Sequence, residues 1–390
     1  MIDIFSDDTR RDPYPIYARM RDHSPAFYVP PPFDGWLIFD YEGVKRVLND
    51  QAAFSSRVPA PPHWFIFQDA PGHTKMRALI SRAFTPRMVA DLEPQIRELS
   101  RSLLNAVIER GTMDLAVDYA VPLPMRVIAG MIGIPPEDWL KYRDWSDRIL
   151  RLSYSRTGGA DAEQSVREFK QVTADMSIYL QQMTEERRRV PRNDLLTGLL
   201  NAEVDGEHLT HEEILGFLQL LLVGGQETTA NLINNAILCL TENPQQLSRL
   251  QNEPGLLASA IEEVLRYRAP LQWVMRTPRK DVELHGKLIP AGKLVLPMIG
   301  SANRDPKQFA NAESFDIGRN PNPHLAFGHG IHACIGAALA RMEARVALPD
   351  LIGRLNNLQV ESPGSWTPRK ALHVHGPASL PVRFTPAKAV

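Results

Sequence analysis

A long apolar segment from Ile214 to Thr241 constrains the fold of this chain more than any other feature. It carries a single charged residue, Glu227, and it is long enough to span a bilayer. Glycine, glutamine and threonine residues interrupt its middle, however, and three asparagines follow. This pattern favours a buried core helix. Thr210 and Glu213 have the spacing of a capping box, so we expect the helix to begin there.

The middle of this helix combines two features that cost stability. Gly224 and Gly225 weaken a helix by about 1 kcal/mol each relative to alanine. Glu227 follows them, and a buried carboxylate is costly unless it is hydrogen-bonded or has a function. The sequence therefore indicates a kink at a point where another group approaches the backbone closely.

The rest of the chain shows mostly helical spacing, with short strands near its two ends. Helical periodicity occurs at about 14–22, 41–49, 73–84, 124–132, 136–152, 163–189, 255–268 and 334–355. Strand-like segments are 36–39, 294–296 and 380–384. These patterns predict a mainly α (α+β) fold in one domain over 1–390, with β-rich portions near the N-terminus and at about 271–300 and 370–385.

Charge and cysteine usage narrow the possible functions. The formal net charge is −1, so the chain has no overall basic field to attract nucleic acid or an anionic membrane. The acidic start lacks the basic and apolar regions of a signal peptide. Only Cys239 and Cys334 are present, which is typical of a reducing compartment. We therefore expect a cytoplasmic protein.

The stretch from Phe327 to Gly336 carries the strongest sign of chemistry. Gly328, Gly330 and Gly336 allow tight turns and the close approach of a flat ligand. Cys334 stands where an alanine-rich helix begins, and helix dipoles there stabilise a thiolate, which is a good metal ligand.

Three interpretations of this stretch remain open on the residues alone. Cys334 could be a buried free cysteine beside a glycine loop, the commoner situation, or the thiolate ligand of a haem. A zinc site is the third, built from residues whose spacing fits no usual zinc pattern: His324, His329, His332 and Cys334.

Three motifs in order then make the chain resemble the cytochrome P-450 family of haem-thiolate monooxygenases, of the soluble bacterial type. The cysteine motif F-x-x-G-x-x-x-C-x-G matches 327–336, E-x-x-R matches 263–266, and the oxygen-activation motif [AG]-G-x-[DE]-T-[ST] matches 224–229. The resemblance covers nearly the whole chain. It implies the P-450 fold, with a large helical domain, small β-sheets and a long central helix crossing over the haem.

The resemblance also assigns roles to individual residues. It implies haem b bound through Cys334, with its propionates paired to His73, Arg77, Arg276 and His332. Two carboxylates in a mostly apolar cavity need such cationic donors. Other residues expected to contact the haem are Phe327, Gly328, Gly336 and Gly225, whereas those expected to brace the cysteine loop are Glu263, Arg266 and Arg319.

Thr228 and Glu227 are the implied catalytic residues, which deliver protons during the activation of dioxygen. Adjacent helix positions point about 100° apart, so Thr228 is expected to act directly and Glu227 from the solvent side. The simpler alternative is that Thr228 only bonds a backbone carbonyl of its own helix. The acid–alcohol pair argues against two other functions, a haem-thiolate sensor and a peroxide-driven peroxygenase.

The remaining expectations concern the substrate and the partners. We expect a medium-sized hydrophobic substrate in a cavity lined by Trp64, Phe67, Leu221, Gly224, Trp273, Val274 and Leu380. No flavin or iron–sulfur segment is visible, which implies electrons from a separate ferredoxin or flavodoxin with its reductase. A monomer is expected, with a cationic docking patch of Lys75, Arg82, Arg87, Arg341 and Arg345.

Overall fold

Helices dominate the computed structural model, which describes residues 6–58, 63–156, 159–361, 364 and 366–389. The α-helices are Asp7–Arg11 (α1), Tyr14–His23 (α2), Tyr41–Asn49 (α3), Gly72–Ala83 (α4), Pro86–Asp91 (α5), Glu93–Asn105 (α6), Pro122–Ile132 (α7), Trp139–Leu150 (α8), Gly159–Arg189 (α9), Leu195–Leu200 (α10), His211–Glu242 (α11), Pro244–Asn252 (α12), Leu257–Tyr267 (α13), Ile299–Ala302 (α14) and Ala337–Arg354 (α15). Shorter 3₁₀ segments are Phe65–Phe67, Ile108–Arg110, Pro136–Asp138, Arg151–Arg156, Pro254–Leu256 and Gly330–His332, and Leu115–Ala120 is a π-helix.

The strands are short and form several small sheets. They are Ala26–Val29 (β1), Gly35–Ile38 (β2), Phe54–Ser55 (β3), Thr112–Asp114 (β4), Glu203–Val204 (β5), Glu207–His208 (β6), Thr277–Pro278 (β7), Val282–Leu284 (β8), Lys287–Ile289 (β9), Leu294–Pro297 (β10), Gln359–Val360 (β11), Thr367–Pro368 (β12), Pro377–Ser379 (β13) and Pro381–Arg383 (β14). β2 pairs antiparallel with β1 and parallel with β10, and β14 lies between β11 and β4. The predicted mainly helical α+β fold class is confirmed.

Helix α11 forms the centre of the hydrophobic core, as the apolar segment predicts. The Thr210 hydroxyl accepts from the Glu213 N–H, and the Glu213 carboxylate accepts from the Thr210 N–H, so the capping box is complete. The helix packs against α7, α9 and α15. It continues without interruption through Gly224 and Gly225, so the two glycines do not end a helical segment.

A long connection of little regular structure leads from α14 to α15, as the sequence predicts for about 304–332. Within it only the 3₁₀ turn Gly330–His332 is regular among the described elements. Helix α15 begins at Ala337, three residues later than its periodicity predicts, because the turns around Gly336 precede it. None of the helices in the described part of the chain has both the length and the apolarity needed to span a membrane.

Candidate functional site

A cavity of about 1290 Å³ lies between α11 and the loop that leads into α15. Its walls are mostly apolar and come from segments that are far apart in the sequence. From α11 it takes Leu221, Gly224 and Thr228, and from the loop it takes Phe327 and Cys334. The fold therefore brings the cysteine motif and the oxygen-activation motif to one enclosed space, a condition that both must meet to act together.

The glycine-rich loop presents the Cys334 thiol to this cavity. Gly328 and Gly330 have φ angles of 74° and 71°, in the left-handed region that favours glycine. These turns fold the loop back on itself, so that the Cys334 N–H donates to the Phe327 carbonyl over 2.8 Å. The thiol is exposed to the cavity, whereas Cys239 on α11 is buried in the core.

Opposing effects act on the thiol of Cys334. Burial raises its pKa, and N–H groups of Gly336 and Ala337, at the start of α15, lower it. The guanidinium groups of Arg77 and Arg341 also lower it. Backbone donors and nearby cations stabilise a thiolate, which is the form that binds a metal ion. Burial has the largest effect, so the pKa of the thiol is raised overall, while these donors and cations favour the thiolate that would bind iron.

Four bases gather at one end of the cavity, as expected for a propionate site. The rings of His73 and His332 are 4.1 Å apart between centroids, and Arg77, Arg276 and His332 line the cavity. His73 is fully buried, and neither of its ring nitrogens has a hydrogen-bond partner. His332 bonds Ser56 through Nε2 over 2.9 Å, whereas its Nδ1 has no partner.

Burial and neighbouring positive charges make these bases harder to protonate. Burial and the charges of Arg77 and Arg276 lower the pKa of His73 to about 4. Burial and Arg276 likewise lower the pKa of His332 to about 3, and burial lowers the pKa of Arg276 to about 10. Unpartnered buried donors beside two arginines form a site that two carboxylates would satisfy. The residues present therefore fit haem: these bases would hold its propionates, and Cys334 would bind its iron.

Glu263 and Arg266 lie outside the cavity and hold the connection before the cysteine loop. Both side chains are fully buried and form a bidentate ion pair with two N–O distances of 2.8 Å. Arg266 also donates to the carbonyl groups of Asn303, Ala312 and Ser314. Arg319 adds two contacts to Glu263 of 3.1 and 3.2 Å. These bonds tie α13 to the irregular segment, and the bracing of the cysteine loop by the three residues stays a prediction.

Glu227 is buried beside the cavity and is paired with a cation that the sequence did not indicate. Its side chain is 1 % exposed, and Oε1 lies 2.7 Å from Nε of Arg369. Asn231 donates to the same oxygen over 3.4 Å, and Oε2 has no hydrogen-bond partner. Burial raises the pKa of Glu227, and Arg369 opposes that rise. A carboxyl group in such a balance can both hold and release a proton.

Thr228 is half-buried and lines the cavity, and its hydroxyl donates to the Gly224 carbonyl over 2.8 Å. The bond of the simpler alternative is therefore present. It uses the hydroxyl hydrogen only, so the oxygen can still accept a hydrogen bond from the cavity.

Gly224 and Gly225, which precede Thr228, differ in the space around their α-carbons. A Cβ on Gly224 would meet nothing within 4 Å, whereas one on Gly225 would lie 2.4 Å from Cδ1 of Ile128. Gly224 thus leaves free space over the cavity. Gly225 also lines the cavity, and in addition it lets α7 approach α11 closely.

One residue predicted to line the substrate cavity does not do so. Leu380 is fully buried in the core between β13 and β14, where its N–H donates to Asp114 and its carbonyl accepts from Leu115. The C-terminal part of the chain does contribute to the cavity lining. It does so through His373 and Val374, a few residues before the predicted position. The other predicted residues do line it: Trp64, Phe67, Leu221, Gly224, Trp273 and Val274.

Several cavity residues were missed by the sequence interpretation. Helix α9 contributes Phe169, Lys170, Thr173 and Ser177, and α15 contributes Glu343. The amphipathic period of α9 indicated a helix but carried no sign of which face meets the cavity.

The described residues also argue against a zinc site. No group of three or more His, Cys, Asp and Glu side chains that could hold a metal ion occurs among them. His324 points instead to Glu262, with Nε2 and Oε2 3.0 Å apart. The zinc interpretation of the cysteine loop is therefore wrong.

Comparisons with known proteins agree with this geometry. The family model described as Cytochrome P450 matches residues 160–370. A curated relative, Cytochrome P450 109 of Bacillus spizizenii, is 39 % identical over 388 residues, which cover 99 % of this chain and 95 % of the relative.

Solved structures give the same result over the whole fold. Cytochrome P450 CYP109Q5 from Chondromyces apiculatus superposes with a TM-score of 0.90 at 39 % identity, covering 100 % of this chain and 99 % of that chain. CYP109E1 from Bacillus megaterium in complex with testosterone superposes with a TM-score of 0.86 at 39 % identity, covering 96 % and 99 %.

Proposed function

This chain belongs to the cytochrome P450 family, a family of haem b oxidoreductases, and we propose that it hydroxylates or epoxidises a medium-sized hydrophobic molecule. It does so as a haem-thiolate monooxygenase that activates dioxygen with electrons from a separate redox partner. One observation carries this proposal: a single, mostly apolar cavity is lined by Cys334, by three of the four bases of the propionate site, and by the acid–alcohol pair Glu227 and Thr228.

Haem held through Cys334 would supply the iron at which dioxygen is reduced and its O–O bond is broken, a reaction that thiolate ligation favours. His73, Arg77, Arg276 and His332 hold and orient the cofactor through its carboxylates. The protein's own part in the reaction is then to exclude bulk water, to position the substrate and to supply protons.

Thr228 and Glu227 perform the proton transfers in this proposal. Thr228 lines the cavity, where its hydroxyl oxygen can accept a hydrogen bond, while donation to the Gly224 carbonyl fixes the hydroxyl in place. Glu227 lies one position earlier, about 100° around the helix, and is linked to Arg369. It takes up a proton from the Arg369 side and passes it on towards Thr228.

The walls of the cavity favour an apolar substrate. Trp64 and Phe67 stack with their rings 6.2 Å apart, and Trp64 is anchored by its Nε1, which donates to Gln219 over 3.1 Å. A structural relative with a similar fold was crystallised with testosterone, a substrate-sized apolar molecule. A steroid is therefore a suitable first test ligand.

An acidic ferredoxin or flavodoxin is the proposed electron donor, and it docks on the face next to Cys334. Arg82 on α4, Arg87 on α5 and Arg345 on α15 are exposed and are proposed to form part of that face. Lys75 and Arg341 of the predicted patch are already paired, with Glu207 and Glu262. The three exposed arginines therefore carry the docking charge, and the rate of electron transfer should fall steeply as salt increases.

Turnover with testosterone tests the proposed function directly. The purified holoprotein is mixed with testosterone, a ferredoxin, its reductase and a nicotinamide reductant under isotopically labelled dioxygen. We expect a mono-oxygenated product that carries one labelled oxygen atom.

Two controls separate the proposal from its alternatives. In the first control, hydrogen peroxide replaces the reductant and dioxygen. A product formed only with hydrogen peroxide would show a peroxide-driven enzyme. In the second control, a panel of steroids, terpenoids and fatty acids is screened for binding. Binding is followed by the change in the haem absorption spectrum that accompanies loss of the iron-bound water. Binding across this panel without any product under dioxygen and reductant would contradict monooxygenase activity.

A further inference from the structure

His373 lines the cavity, yet its imidazole ring has no hydrogen-bond or ionic partner in the described part of the protein. The residue is half-buried and lies in the connection between β12 and β13. Its ring lies 5.7 Å from that of Trp273, measured between the ring centroids. The reaction described above gives this polar side chain no role.

The segment that carries His373 is held in place by hydrogen bonds of its own backbone. The His373 carbonyl accepts from the Gln272 N–H over 2.8 Å, and the Leu372 carbonyl accepts from Trp273 Nε1 over 3.1 Å. The Leu372 N–H donates to the Ser153 hydroxyl over 3.0 Å. The backbone at the imidazole is therefore fixed before a ligand binds, and such preorganisation lowers the entropic cost of binding.

The imidazole of His373 is neutral at physiological pH, because burial lowers its pKa to about 4. A neutral imidazole has one N–H donor and one nitrogen acceptor. It can therefore form a hydrogen bond with an uncharged oxygen group without placing a charge in a mostly apolar cavity. A carboxylate suits this position less well, since a buried carboxylate needs a cation beside it.

Polar side chains elsewhere in the cavity wall mostly have partners within the protein. Gln219 accepts from Trp64 Nε1 over 3.1 Å. Its amide nitrogen donates to the Thr173 carbonyl over 3.1 Å and to the Ser177 hydroxyl over 2.9 Å. The Ser153 hydroxyl donates to the carbonyl three residues earlier and accepts from a backbone N–H. A ligand oxygen would compete with these existing bonds, whereas at His373 it meets a polar group that is not yet paired.

We propose that His373 determines substrate specificity by hydrogen-bonding a hydroxyl or ketone oxygen of an otherwise apolar substrate. This inference rests on the proposed monooxygenase function and narrows its substrate class to neutral, oxygenated hydrophobic molecules. Trp273 and Val374 line the cavity next to the imidazole and contact the adjoining hydrocarbon. A pure hydrocarbon would leave the polar atoms of the imidazole desolvated and unpaired, so the cavity discriminates against it.

Binding titrations test this inference with two pairs of probes, each made of an oxygenated molecule and a related hydrocarbon. Testosterone is compared with androstane, and dodecan-1-ol with dodecane. Isothermal titration calorimetry of the holoprotein gives each affinity for wild type and His373→Leu. We expect the preference for the oxygenated probe to fall by about tenfold in His373→Leu, because one hydrogen bond is lost.

Further variants and ligands separate the hydrogen bond from packing. His373→Gln keeps an N–H donor and should recover part of the preference. Val374→Ala is the matched control at an apolar wall position, and it should change the affinity for both members of a pair by the same factor. Testosterone analogues that lack only the hydroxyl or only the ketone oxygen identify the bound group, because the analogue without it should no longer respond to His373→Leu.

An equal preference in wild type and His373→Leu for both pairs would overturn the inference, and so would a failure of both oxygenated probes to bind. If His373→Leu does not fold, His373→Phe takes its place, since it keeps a ring beside Trp273. The titrations measure binding without turnover. A negative result therefore leaves the proposed function to its own assay with labelled dioxygen, and the two failures are distinguishable.

Discussion

The carboxylate of Glu227 and the guanidinium of Arg369 form an ion pair next to the catalytic cavity, with Oε1 and Nε 2.7 Å apart. Glu227 belongs to α11, whereas Arg369 follows β12 near the C-terminus. Burial raises the pKa of Glu227, Arg369 and Asn231 lower it, and Asp147 raises it. The pair therefore sets the pH range over which the proposed proton donor can act.

Replacing Arg369 should make stability more dependent on pH. Arg369→Gln removes the positive charge that lowers the pKa of Glu227. The pKa of Glu227 in the folded state therefore rises further because of burial. A carboxyl group whose pKa is raised in the folded state contributes its full stabilisation below its unfolded-state pKa. The free energy of unfolding then falls as the pH rises through the folded-state pKa. We expect the stability difference from wild type to grow by about 1.4 kcal/mol for each pH unit in that added interval. Denaturant unfolding between about pH 5 and about pH 8 measures it.

The control for this prediction is the same substitution in a Glu227→Gln background. Without a titrating group at 227, Arg369→Gln should cost the same at both ends of the pH range. If the pH dependence persists in the double variant, another group causes it, and Glu227 is not controlled by Arg369.

Local spacing in the sequence predicted the parts of the site that lie within one segment. The capping box, the buried helix α11 and the turns around Cys334 follow from residues a few positions apart. Arg369 could not be found in this way, because its pairing with Glu227 arises only when the C-terminal strands pack beside α11. Leu380 was misplaced for a related reason: alternation along a short strand does not say which neighbour covers each face.

Only one of the two cysteines should be needed for the thiolate spectrum. Cys334→Ser should lose the red-shifted Soret band that the reduced carbon monoxide complex of a haem-thiolate protein shows, because a hydroxyl is a poor iron ligand. Cys239 is fully buried, and burial raises the pKa of its thiol to about 12, so it stays neutral. Cys239→Ala is therefore the matched control and should keep the band. A Cys334→Ser variant with an unchanged band would remove Cys334 as the ligand.

Thr228 and its neighbour Thr229 allow a comparison of two similar hydroxyl groups. Each donates to the carbonyl four residues earlier, over 2.8 Å for Thr228 and 3.0 Å for Thr229. Thr228 is the more exposed of the two to the cavity. Thr228→Ala should still bind haem and substrate and consume reductant, while peroxide replaces product and coupling falls by about tenfold or more. Thr229→Ala should stay close to wild-type coupling, and equal losses in both variants would assign the effect to the helix and not to proton transfer.

Trp273 should affect ligand binding although much of its ring is used for packing. The residue is half-buried and lines the cavity, its Nε1 donates to the Leu372 carbonyl over 3.1 Å, and its ring lies 5.7 Å from that of His373. Trp273→Ala should weaken testosterone binding by about tenfold, a loss of about 1.4 kcal/mol, because an apolar wall of the cavity is removed. Titration of the substrate-induced spectral change measures the affinity, with haem content checked in parallel. Trp139 is also half-buried but lies on α8 away from the cavity lining, so Trp139→Ala is the control and should leave the affinity unchanged. Loss of folding in Trp273→Ala with no change of affinity in the folded fraction would make Trp273 a packing residue only.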